Sequence, residues 1–173
     1  MKKLLLGIIC GTGMLLMLGG CGSLNNGQEN AQTSATDTGF VMTYQGVELA
    51  LDNDYAAVKE QLGGETKPSN DIPPCDGEGG IMTEHYYEGM ILGTDENNSI
   101  SYLHMDSDSK DHTDIGTKQG LHVGDPIDRA KELYGTPEFE SEYVVSFVKD
   151  EQTLTCGIDD NGSTISYLYL TRQ

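Results

Sequence analysis

The chain has 173 residues, 28 acidic and 10 basic, giving a net charge of −18, and 36% of it is hydrophobic. A surface that negative repels phosphate backbones and anionic lipid head groups, which excludes nucleic-acid binding as a function class. The length suits one domain or two small repeats.

Lys2 and Lys3 open the chain, a mostly apolar run from Leu4 to Leu18 follows, and Gly19 and Gly20 lead into Cys21. A basic start, a short apolar run and small residues before a cut define a secretory signal. A membrane-spanning helix would need about 20 apolar residues. Leu18-Gly19-Gly20-Cys21 resembles the lipobox of bacterial lipoproteins. The resemblance implies that a diacylglycerol is joined to the Cys21 thiol and that residues 1–20 are then removed. It also implies a chain lipid-anchored to the extracytoplasmic face of a cell membrane, at the outer surface if the cell is Gram-positive. Each buried methylene contributes about 0.8 kcal/mol, so two acyl chains anchor where one holds marginally. Cys10, preceded by Ile8 and Ile9, leaves with the signal. Loss of Lys2 and Lys3 leaves 8 basic against 28 acidic residues, a net charge of −20.

Residues 21–39 are Asn, Gln, Ser, Thr and Gly with almost nothing apolar, and are expected to form a flexible tether. Two modules are expected beyond it, 40–114 and 115–173. The first opens with Tyr44-Gln45-Gly46-Val47-Glu48-Leu49, then a helix over Tyr55 to Leu62 closed by Gly63-Gly64. Strands are expected near Thr83 to Tyr87, Gly89 to Leu92 and Ile100 to Met105. The second repeats this grammar with Lys118-Gln119-Gly120-Leu121-His122-Val123, a helix over Ile127 to Tyr134 closed by Gly135, and strands near Tyr143 to Val148, Leu154 to Ile158 and Ile165 to Leu170. Asp52, Asn53 and Asp54, and Asp125 with Pro126, are helix-start cues. One apolar residue every three or four positions marks a single buried stripe per helix. Ile-Ser-Tyr-Leu occurs in both halves, offset by 65 residues, and Asn161-Gly162 signals a tight hairpin turn.

The run Gly120 to Pro137, Gly-x-x-x-Gly-Asp-Pro-x-x-x-Ala-Lys-x-x-Tyr-Gly-Thr-Pro, resembles the helix-turn signature of the β-lactamase inhibitor protein-like fold. Small outer-membrane assembly lipoproteins share its single module. Together with the tandem layout, the resemblance implies an α+β fold: two helix-plus-antiparallel-sheet modules, with the helices on one face of the sheet. No inhibitory residues carry over, because none can be matched.

Strand alternation turns Leu103, Met105, Leu168 and Leu170 toward the helices and Tyr102, His104, Tyr167 and Tyr169 toward the open face. Tyrosine suits an interface, with a large apolar area, a polar tip and few rotors. These four residues are the candidate binding face for a protein or peptide; the alternative is that they only shield a thin sheet from water. No His-Glu-x-x-His, Gly-x-Ser-x-Gly, Walker or dinucleotide pattern occurs, so no enzyme and no cofactor are expected. Asp106, Asp108, Asp111 and Asp114 fail the EF-hand pattern, with Lys110 fifth, Asp111 sixth and Thr117 twelfth, so no metal is assigned. Cys75 and Cys156 lie one in each half, as a bridge between modules or as two free thiols. The expected function is a lipid-anchored, non-catalytic interaction module; a structural envelope-assembly lipoprotein is the alternative.

Overall fold

A computed structural model describes residues 39–74, 80–106 and 115–173. Cys21, the tether, Cys75, Asp108, Asp111 and Asp114 lie outside the described residues.

Past Phe40, β1 (Met42–Tyr44) turns at Gln45-Gly46 into β2 (Val47–Leu49). Gln45 and Gly46 both have positive φ, 50° and 81°, the backbone of a two-residue hairpin turn. Helix α1 (Tyr55–Lys59) follows, with the Asp54 carboxylate accepting from the Ala56 amide at 3.0 Å. A meander of four strands comes next: β3 (Lys67–Ile72), β4 (Met82–Tyr87), β5 (Met90–Thr94) and β6 (Ile100–Asp106). The second half repeats the plan with β7 (Ile115–Thr117), α2 (Ile127–Tyr134), β8 (Phe139–Glu140), β9 (Val144–Lys149), β10 (Gln152–Ile158) and β11 (Ile165–Arg172).

The two meanders form one antiparallel sheet of eight strands, in the order β3-β4-β5-β6-β11-β10-β9-β8. The seam is β6 against β11, where Leu103 faces Leu170, His104 faces Tyr169 and Met105 faces Leu168. His104 and Tyr169 are repeat equivalents that pair with each other, so a pseudo-twofold axis passes between them. β2, β1 and β7 make a second sheet of three strands.

The core lies between the inner face of the large sheet and a layer made of the small sheet, the helices and their flanking loops. Leu92, Leu103, Met105, Leu154, Leu168 and Leu170 from the sheet meet Met42, Tyr44, Leu49, Tyr55, Leu121 and Ala130 in one buried cluster. Each fully buried Leu or Met there contributes about 2 kcal/mol.

The α+β expectation is therefore corrected. Strand accounts for 50% of the described residues and helix for 11%, and the two helices span five and eight residues, so the fold is predominantly β. The physical reason is visible in the covering layer: the segments leading into the helices are themselves strands, and Met42, Tyr44, Leu49 and Ile115 from them are buried in the core beside Tyr55 and Ala130 of the helices. Helix α1 also stops at Lys59, short of the expected Leu62.

Candidate functional site

The repeated Ile-Ser-Tyr-Leu encodes a bulge. Gly93 pairs with Tyr102 but Thr94 with Ile100, leaving Ser101 as the extra residue. In the second half Gly157 pairs with Tyr167 but Ile158 with Ile165, leaving Ser166 extra. The extra residue turns Ile100 and Ile165 into the core with Leu103 and Leu168, while the tyrosine beside each leucine faces outward onto a glycine of the neighbouring strand. A Cβ on Gly93 would lie 2.1 Å from a Tyr102 ring carbon, and one on Gly157 2.0 Å from a Tyr167 ring carbon. Only glycine lets the rings lie this low.

Tyr102, His104, Tyr167 and Tyr169 thus gather on the outer face, all half-buried, around the pseudo-twofold axis. The Tyr102 and Tyr169 rings are 5.8 Å apart; the His104 ring meets Tyr167 edge-on at 5.3 Å and Tyr169 edge-on at 6.0 Å. On the opposite face Tyr134 of α2 packs against Phe147, their rings 5.4 Å apart. A continuous lateral row crosses all eight strands through this cluster: Lys67, Tyr86, Ile91, His104, Tyr169, Thr155, Ser146 and Phe139.

Glu84 fixes one flank. Its carboxylate accepts from the Tyr102 hydroxyl at 2.5 Å and from the Tyr86 hydroxyl, and Lys67 Nζ sits 3.6 Å over the Tyr86 ring. Partial burial raises the Glu84 pKa, but the two hydroxyls and the Lys67 charge outweigh it and hold the carboxyl below its usual range. Burial, then Glu84, pushes the Tyr102 hydroxyl far up, so it stays a neutral donor.

A second polar cluster escaped sequence reading because its residues are scattered. His85 is buried and stacks on Tyr55 at 4.0 Å; its Nδ1 lies 3.3 Å from a Glu65 oxygen and its Nε2 3.3 Å from Thr94 Oγ1. The Tyr55 hydroxyl donates to Glu65 at 3.1 Å and lies 2.8 Å from that of Tyr87. By strand register the counterparts of His85, Tyr87 and Thr94 in the second half are Val145, Phe147 and Ile158, all hydrocarbon. That polar-for-apolar exchange between repeats was the available signal. A hollow of about 330 Å³ beside the cluster is lined by Asp71, Thr83, Asp95, Glu96 and Asn98 among others. The carboxylate, imidazole and hydroxyl follow one another as in a hydrolytic triad. Yet Thr94 is only 2% exposed, and the carboxylates around the hollow oppose a developing oxyanion.

Cys156 is a free, buried thiol whose pKa burial pushes up to about 12. Among the described residues no group of three or more His, Cys, Asp or Glu side chains is placed to hold a metal ion. No helix among them is long and apolar enough to cross a membrane. The chain matches no family model, no curated protein and no solved structure.

Proposed function

We propose that this chain is a lipid-anchored, extracytoplasmic docking module that binds a protein partner on the outer face of its large sheet and catalyses nothing. One observation carries the reading: three tyrosines and a histidine from two different halves converge, half-exposed, on the face opposite the helices. Shielding alone does not call for aromatics here, since the same face further out is covered by Thr153, Thr155, Ser146 and Thr171. Aromatic anchors at the centre of a patch are where binding energy concentrates, commonly 2 kcal/mol or more apiece on truncation. The lipobox-like segment supports the anchoring.

The test pairs two variants in the full chain. Tyr102→Ala/Tyr169→Ala, folded by circular dichroism, is expected to lose crosslinked partner on intact cells while remaining membrane-bound. Cys21→Ser is expected to release the chain from the membrane fraction with its fold unchanged. Partner capture unaltered by the tyrosine changes refutes the docking face; membrane partitioning unaltered by the Cys21 change refutes the anchor.

A further inference from the structure

We infer that the partner is a cationic protein, one whose contact patch is ringed by lysine and arginine. This rests on the docking reading of the tyrosine face and names the chemistry of what docks there.

The inference comes from where the charge is not. In a chain with 28 acidic residues, the outer positions of the large sheet carry Glu84 and Asp106 as carboxylates and Lys67 as a cation. Glu84 is already engaged by two tyrosine hydroxyls and Lys67 by the Tyr86 ring. The rest of the face is aromatic, aliphatic, hydroxyl or amide, with Met82 36%, Val148 39% and Phe139 55% exposed toward its borders.

The acid sits on the frame instead. Because β6 and β11 run antiparallel, the turns of the two meanders alternate between the ends of the sheet. One end carries Glu96 in the β5–β6 turn and Asp150-Glu151 in the β9–β10 turn, all exposed. The other carries Glu88 in the β4–β5 turn and Asp160 in the β10–β11 turn, also exposed. The cations at the first end are spoken for: Lys149 holds the Gly39 carbonyl at 3.2 Å and Arg172 pairs with Asp52.

An aromatic centre with few charges inside an acidic border is the anatomy of a protein interface, where the centre expels water and the border selects the partner's sign. A second copy of this chain would bring its own acidic frame against this one, and anionic surfaces are repelled likewise. A basic border on the partner meets the frame at both ends. Electrostatic attraction then governs the rate of encounter, and the tyrosines govern how long the complex lasts.

The experiment uses the full lipidated chain in its native envelope, with a photoactivated benzophenone side chain at Thr153, which is half-buried on the face. The initial rate of crosslinked product is followed at low and high salt. For the unaltered frame the rate is expected to fall about tenfold or more as salt rises. Glu96→Lys/Glu151→Lys/Asp160→Lys is expected to lower capture at low salt and abolish or reverse that dependence, with the matching Gln triple intermediate; urea midpoints check that each variant folds. Capture that still requires Tyr102 and Tyr169 but ignores both salt and the frame charges overturns the cationic partner and leaves the docking face standing. A product with the mass of two copies of this chain overturns it as well. Absence of any tyrosine-dependent product overturns the docking reading, and this inference with it.

Discussion

Replacing Gly93 with alanine tests whether the outward tyrosines are held by the bulge-and-glycine device. The new Cβ would lie 2.1 Å from the Tyr102 ring, so the ring must leave its seat. Tyr102 is tied down twice, by its 2.5 Å hydrogen bond to Glu84 and by its packing on Tyr169. Displacement forfeits a charge-assisted bond, about 1.5 to 3 kcal/mol, and adds overpacking strain of about 1 to 3 kcal/mol. Reduced entropy of the unfolded chain returns about 0.4 to 1 kcal/mol. A net loss of about 1.5 to 5.5 kcal/mol is expected from urea unfolding. Gly157→Ala makes the same clash at 2.0 Å, against Tyr167, whose ring meets His104 edge-on; overpacking strain of about 1 to 3 kcal/mol is expected there too. Removing the obstructing ring in Tyr102→Ala/Gly93→Ala should recover much of the added strain, as a coupling of at least about 1 kcal/mol in a double-mutant cycle. Strict additivity in the cycle would refute the reasoning.

Three further outcomes are expected. In the polar cluster, His85→Val leaves Glu65 and Thr94 each short of a partner and should cost about 1 to 3 kcal/mol. His85→Val/Thr94→Ile copies the hydrocarbon of the second half and should cost less than the single changes added together, as read by denaturant unfolding. The folded-state pKa of Glu84 is depressed, so its contribution is present above the unfolded value of about 4.3 and lost as pH falls through the folded one. Unfolding midpoints between about pH 5 and pH 3 should therefore decline less steeply in Glu84→Gln. With its pKa near 12 and no exposure, the Cys156 thiol should resist iodoacetamide at pH 8 and react only on unfolding, followed by mass spectrometry of its peptide. Alkylation at the rate of a free peptide thiol would contradict the buried placement.

Much of the sheet was legible because its signals are local. Alternation in Ile100 to Met105 and Ile165 to Leu170 places those strands and turns their tyrosines outward, and the structure brings the four candidate residues together. Helix α2 spans the expected Ile127 to Tyr134. Illegible were the elements whose stability is not local. No strand is expected at β3, since Lys-Pro-Ser-Asn-Asp-Ile has no strand-forming run, and it exists because β4 offers it an edge. β1, β2 and β7 are three residues each, too short for any period to register. The class is set instead by the eight-stranded sheet, beside which the two helices of five and eight residues are small. The partnership of Glu65, His85 and Thr94 spans a helix exit and two strands, and only register brings it about.

The closing of the two halves by their last strands carries a consequence for biogenesis. Each contact across that line joins positions more than sixty residues apart, so nothing can complete it until the final hairpin has been delivered. Until then β6 shows a bare row of main-chain amides and carbonyls beside Leu103 and Met105, an invitation to any passing extended segment. A chain cut short before Ile165 would not be a smaller working protein but an adhesive one. The same open row should accept the missing C-terminal hairpin supplied as a separate peptide, so the completed sheet could be split in two and put back together by mixing.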